Sequence, residues 1–179
     1  MATNNIIPVK DFEIKSDQVF FPDNNFWMFL YCPIAGYEQK KQESASKFFA
    51  YLLSRKNMIA INSLIISEFT NASLRLDYSF WKEENQKSGN VYKKEYFQTD
   101  RAKNMRLLIS DSVKKILRVA TRFPDSFNNS NMDSILSVYR DHVDYNDSVI
   151  YHDCKRHNWI LVTNDRDSDF FTDIVIAKI

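Results

Sequence analysis

Four short apolar runs punctuate the chain: VFF at 19–21, MIAI at 58–61, WILVT at 159–163 and IVIA at 174–177. None alternates apolar with polar residues, and the first three end at turn or cap residues, the pattern of strands covered on both faces. Between them the period lengthens to that of a helix. Residues 38–56 carry Phe48, Phe49, Leu52 and Leu53 behind a polar opening, and residues 64–84 carry a stripe of Leu64, Ile65, Phe69 and Leu76. Asn62 or Ser63 is placed to cap the second of these. A long helix is expected over 100–122, with Met105, Leu108, Val113, Ile116, Leu117 and Ala120 turned inward. MDSILSVYRDH (132–142) and DYNDSVIYHDCKRHN (144–158) read as two more, the latter capped by Asp144. ENQKSGN (84–90) and FPDSFNNSN (123–131) read as loops, Pro22-Asp23 as a turn, and residues 1–16 as a loosely ordered N-terminal arm. Buried strands separated by helices predict an α/β fold on a parallel sheet. The 179 residues form one expected domain, with roughly 77–130 an enlarged helical segment.

Composition removes several function classes. Gly36 and Gly89 are the only glycines, too few for the phosphate-cradling loops of Walker or dinucleotide type. Cys32 and Cys154 give neither a disulfide framework nor paired metal-ligand spacing. No apolar run reaches the roughly 20 residues of a membrane span. The N-terminus shows no secretory signal, so the expected location is cytoplasmic. The net charge of +1 hides an asymmetry: residues 75–122 hold twelve basic against six acidic side chains, and residues 123–179 five against ten. A basic middle facing an acidic end would suit an anionic ligand held beside a cation; solvated helix faces of opposite sign are the plainer explanation.

Ligands of parallel α/β sheets sit beyond the carboxyl ends of the strands, which makes the acids at those ends the candidates for chemistry. Asp23 follows the first apolar run and Asp165 the third, in ILVTNDRDSDFF. Asp147 lies in the first turn of its helix, where the dipole favours a carboxylate. Glu68 stands in apolar company, IISEF, where an acid needs a partner. Singly, a cap or a turn explains Asp23, Asp147 and Asp165. Together the four could converge and hold a divalent ion, and oxygen-only ligands suit Mg²⁺ or Mn²⁺.

Their order resembles the PIN-domain family, in the flavour of VapC-like toxin endonucleases and related prokaryotic proteins. The features that carry the resemblance are Asp at a strand end, Glu in an SEF context, D-x-x-D at a late helix start, and L-V-T-N-D, spanning residue 17 to the C-terminus. The resemblance implies a three-layer α/β/α sandwich on a twisted parallel sheet and metal-dependent cleavage of single-stranded RNA, leaving a 5′-phosphate and a 3′-hydroxyl. It makes Asp23, Glu68, Asp147 and Asp165 the catalytic and metal-binding acids, with Asn25, Thr163, Asn164 and Asp169 in support. It also implies a homodimer and a small antitoxin partner. Pro22 before the first acid and the long stretch between Glu68 and Asp147 depart from the family pattern. So does the acidic turn, which is one residue longer and does not separate the role of Asp167 from that of Asp169.

On that reading Lys93, Lys94, Arg101, Lys103 and Arg106 are candidates for RNA phosphates, and Tyr92, Tyr96 and Phe97 are candidate stacking platforms that core packing would also explain. His142, His152 and His157 show no ligand spacing with the acids and are read as structural. The alternative function is a non-catalytic PIN-like module binding RNA or protein. A receiver-type phosphotransfer fold lacks its acidic pair, because Asp23 has no acidic neighbour.

Overall fold

The computed structural model describes residues 5–34, 36–141 and 143–179. Among them, β1 (Ile6–Pro8), β2 (Val19–Pro22), β3 (Met58–Ile61), β4 (Thr121–Arg122), β5 (Ile160–Thr163) and β6 (Ile176–Lys178) form one sheet in the order β1-β6-β5-β2-β3-β4. Every pairing is parallel. The helices are α1 (Asn24–Tyr31), α2 (Gln39–Ser54), α3 (Ser63–Glu84), α4 (Asp100–Val119), α5 (Met132–Asp141) and α6 (Tyr145–His157). The expected α/β/α sandwich is the fold.

The central strand shows why both faces must be covered. Successive side chains of a strand point to opposite faces. The ring of Phe20 meets those of Phe12 and Phe48 at 5.8 and 5.9 Å, whereas Phe21 stacks on Trp159 at 5.5 Å. The four apolar runs and the three helical stripes named above contribute to one buried core. The caps fall where expected: Asn62 accepts from the Ile65 amide and Asp144 from that of Asp147.

Several elements depart from the sequence reading. From residue 5 onward the segment read as an arm belongs to the fold, since β1 pairs with β6 and Phe12 and Ile14 are buried. NNFWMFLY, to which the sequence pattern assigns no element, is α1, with Phe26, Trp27, Met28 and Phe29 all buried. A helix apolar on every side carries no periodic signal. Residues 121–122, read as the end of a helix, form the edge strand β4, and the last strand starts at Ile176 rather than 174. On α4 the buried stripe is Ala102, Ile109, Ser112 and Ile116, while Leu108, expected inside, is 50% exposed. One position along a helix is a rotation of about 100°, enough to turn Leu108 outward. Among the described residues no helix is long and apolar enough to cross a membrane.

Phe12 tests whether the N-terminal segment is integral. Phe12→Ala is expected to lower unfolding free energy by about 3–5 kcal/mol in urea denaturation; a true arm would leave the midpoint unchanged.

Candidate active site

Parallel pairing brings the C-terminal ends of β2 and β5 side by side, about 4.8 Å apart. Asp23 and Asp165 therefore leave the sheet as neighbours. The Asp23 amide continues the ladder by donating to Val162 O at 2.9 Å, and its carboxylate then caps α1, accepting from the Asn24 amide. Thr163, at the end of β5, donates its hydroxyl to Asp23 Oδ2 at 2.9 Å and accepts from the Asp165 amide at 2.9 Å. Asn25 reaches the same Oδ2 at 3.4 Å. Thr163 and Asn25 thus orient the first acid.

Glu68 projects from the second turn of α3 toward the start of α6, where Asn146 donates to its Oε1 at 2.6 Å. Asp144 and Asp147 share that first turn of α6. Asp23, Glu68, Asp147 and Asp165 thus come from four elements, the ends of β2 and β5 and the helices α3 and α6, and the electrostatics couple them. Burial raises Asp23 to about 6, with the charge of Asp165 adding to the effect against the bonds from Thr163, Asn24 and Asn25. Burial, then the charges of Asp23 and Asp144, push Glu68 up to about 7 against the bond from Asn146. Asp147 is raised to about 8 by burial and by Asp144, Asp23, Asp165 and Glu68. Every charged neighbour acting on these three groups is another acid.

The donor set fits a hard divalent cation. Among the described residues, no three His, Cys, Asp or Glu side chains stand close enough as placed to hold one ion jointly. Mg²⁺ keeps several of its waters and binds through one or two carboxylates, so fewer than three protein ligands suffice for it. Hydrogen bonds to Asn146, and the charge of Asp144, were not part of the sequence reading of the site. Their nearness to Asp147 in D-Y-N-D was the available signal.

The acidic turn after β5 sorts its three acids. Asp165 Oδ1 accepts from the Asp167 amide at 3.1 Å. Asp169, expected in support of the site, is paired instead with Lys178 Nζ at 2.6 Å. Asn164 also turns away, its amide donating to Ile179 O at 2.8 Å and accepting from Lys41 at 3.1 Å.

Several of the basic candidates are engaged within their own segment. Arg101 is bound bidentately by the buried Asp77 and also by Glu84, so its guanidinium is committed. Lys103 pairs with Asp100, and Arg106 lies over the Phe97 ring while donating to Phe97 O. α3 meets α4 through Thr70 and Asp77, two and nine positions from Glu68. At about 100° per residue, both lie on the opposite flank of α3. Lys93 and Lys94 are exposed. Tyr92 and Tyr96 are buried and cannot offer stacking faces. His152 and His157 lie against Tyr151 and Trp159, and His142 lies outside the described residues.

No protein-family profile and no curated protein matches the sequence. Solved structures do match the fold. A chain of VapBC2 from Rickettsia felis, solved bound to a DNA fragment from their promoter, aligns over 90% of this chain and 98% of its own with TM-score 0.54 and 13% identity. PAE2754 from Pyrobaculum aerophilum aligns over 90% of this chain and 84% of its own, with TM-score 0.50 and 18% identity. At these identities the likeness establishes the fold, the PIN-like α/β/α sandwich that the sequence motifs resemble.

The raised carboxyls set a pH dependence for the metal-free protein. A folded pKa above the unfolded value means that the folded state holds the proton, so this stabilisation is full below about 4 and is lost as pH rises through the folded values. Melting temperature is therefore expected to fall between pH 5 and about 8, the value to which Asp147 is raised. Asp147→Asn should flatten that slope in a thermal-shift series.

Proposed function

We propose, on the premise of this PIN-like fold, that the protein is a divalent-metal-dependent endoribonuclease acting on single-stranded RNA. The observation that supports this most is the set of carboxyls near one sheet rim: Asp23, Glu68 and Asp147 are raised by burial and by neighbouring acids, and the hydrogen bonds that Asp23 and Glu68 accept come from neutral donors. A structural acid cluster would recruit a lysine or arginine, and the field left uncompensated here is what a cation requires.

In this reading Asp23, Asp147 and Asp165 hold one or two Mg²⁺ or Mn²⁺ ions. Glu68 either completes that shell or accepts a proton from water. Thr163 fixes the carboxylate plane of Asp23, and Asn146 fixes that of Glu68. When bound, the metal lowers the pKa of a water and offsets charge on the phosphodiester. Of the basic residues 93–106, Arg101 and Arg106 serve the fold, which leaves Lys93, Lys94 and Lys103 as the exposed candidates for RNA phosphates. Membership of a toxin–antitoxin pair extends the proposal, supported by the fold shared with VapBC2; it brings a small protein partner and a homodimer with it.

Wild type and Asp23→Asn compared on single-stranded RNA, with and without Mn²⁺, test the reading. Cleavage by wild type only with metal, and a loss of roughly 100-fold in the variant, are expected. Equal cleavage by the two proteins removes the enzymatic claim and leaves the non-catalytic RNA- or protein-binding module. Metal should also reverse the pH trend: because binding displaces protons from the raised carboxyls, Mn²⁺ should raise the melting temperature more at pH 8 than at pH 6.

A further inference from the structure

Lys178 ends β6, in register with Thr163 of β5, which brings its side chain level with the acidic turn. Its side chain is only 20% exposed, and its ammonium has three donors. All three go to one turn: the Asp165 carbonyl, Ser168 Oγ at 2.9 Å and Asp169 Oδ1 at 2.6 Å. The Asp165 carbonyl also accepts from the Ser168 hydroxyl at 2.6 Å. On its other side the Asp165 amide is held by Thr163, the same hydroxyl that binds Asp23. Both backbone groups of Asp165 are therefore fixed, one through Asp23's own partner and the other through Lys178. An exposed lysine–aspartate pair contributes little. A half-buried ammonium spending every donor on one turn is a different arrangement, since charge-assisted bonds are short and directional.

We propose that Lys178 is a positioning residue for the carboxylate site, fixing the turn that carries Asp165 and drawing Asp169 out of the cluster. The inference rests on the metal-dependent reading above. It assigns the three acids of the turn distinct duties: Asp165 faces the cluster, Asp169 anchors the lysine, and Asp167 supplies the amide that orients Asp165.

Mn²⁺ binding by calorimetry and amide hydrogen exchange test it on the full chain. Lys178→Met is expected to weaken Mn²⁺ binding by roughly 10–100-fold, the usual effect of losing support behind a ligand. It should also accelerate exchange at the Asp167, Asp169 and Phe171 amides, which close the turn. Asp169→Asn keeps the lysine on Asp165 and Ser168 and should stay within about threefold of wild type, as expected for a partly exposed pair. Leu52→Ala, in the core under α2, supplies a destabilised control expected to melt lower with unchanged Mn²⁺ affinity. Lys178→Met binding Mn²⁺ like wild type, or Asp169→Asn losing as much as Lys178→Met, overturns the assignment. A wild type that takes up no Mn²⁺ instead overturns the metal-dependent reading, and this inference with it.

Discussion

Parallel pairing is the constraint from which the rest of this molecule follows. With every strand running the same way, residues that leave β2 and β5 must emerge on one rim, whatever their charge. Asp23 and Asp165 are forced into company there, and the second turn of α3 and the capped start of α6 bring Glu68, Asp144 and Asp147 near the same rim. The chain answers this repulsion with neutral donors: a threonine hydroxyl, a backbone amide and two asparagine amides. Such donors fix where the oxygens point without cancelling their charge, so orientation and negative field coexist.

The cations have been assigned elsewhere. Arg101 lies between Asp77 and Glu84, and Arg75 lies 3.8 Å from the Tyr92 ring centre. Tyr96 completes that cluster by donating to Asp77 at 2.7 Å. Burying Asp77 demands this company, because an unpaired charge in that position would be strongly destabilising. Packing around the enlarged helical segment therefore accounts for Arg75, Arg101 and Arg106 among the basic side chains of this region. Lys178 does reach the acidic turn, and it meets the backbone of Asp165 rather than its carboxylate.

How much of this could be read beforehand depended on how local each feature is. Buried strands such as MIAI and WILVT, the caps Asn62 and Asp144, and the acids at strand ends are properties of a few adjacent residues. Local backbone preferences write them into the sequence. The α1 helix was illegible because a segment buried all round loses its period, and β1 and β4 because two or three residues become strands only when a neighbour offers a ladder.

The sequence by itself determined the parallel α/β character and which four carboxylates lie at element ends. Only the tertiary structure decided which flank of α3 receives the basic helix, and which aspartate of the 165–169 turn is claimed by a lysine. The reason is physical. Helix facing and strand register are set by contacts between residues far apart in the chain, and a single position of shift turns a side chain by about 100° on a helix or to the opposite face of a strand.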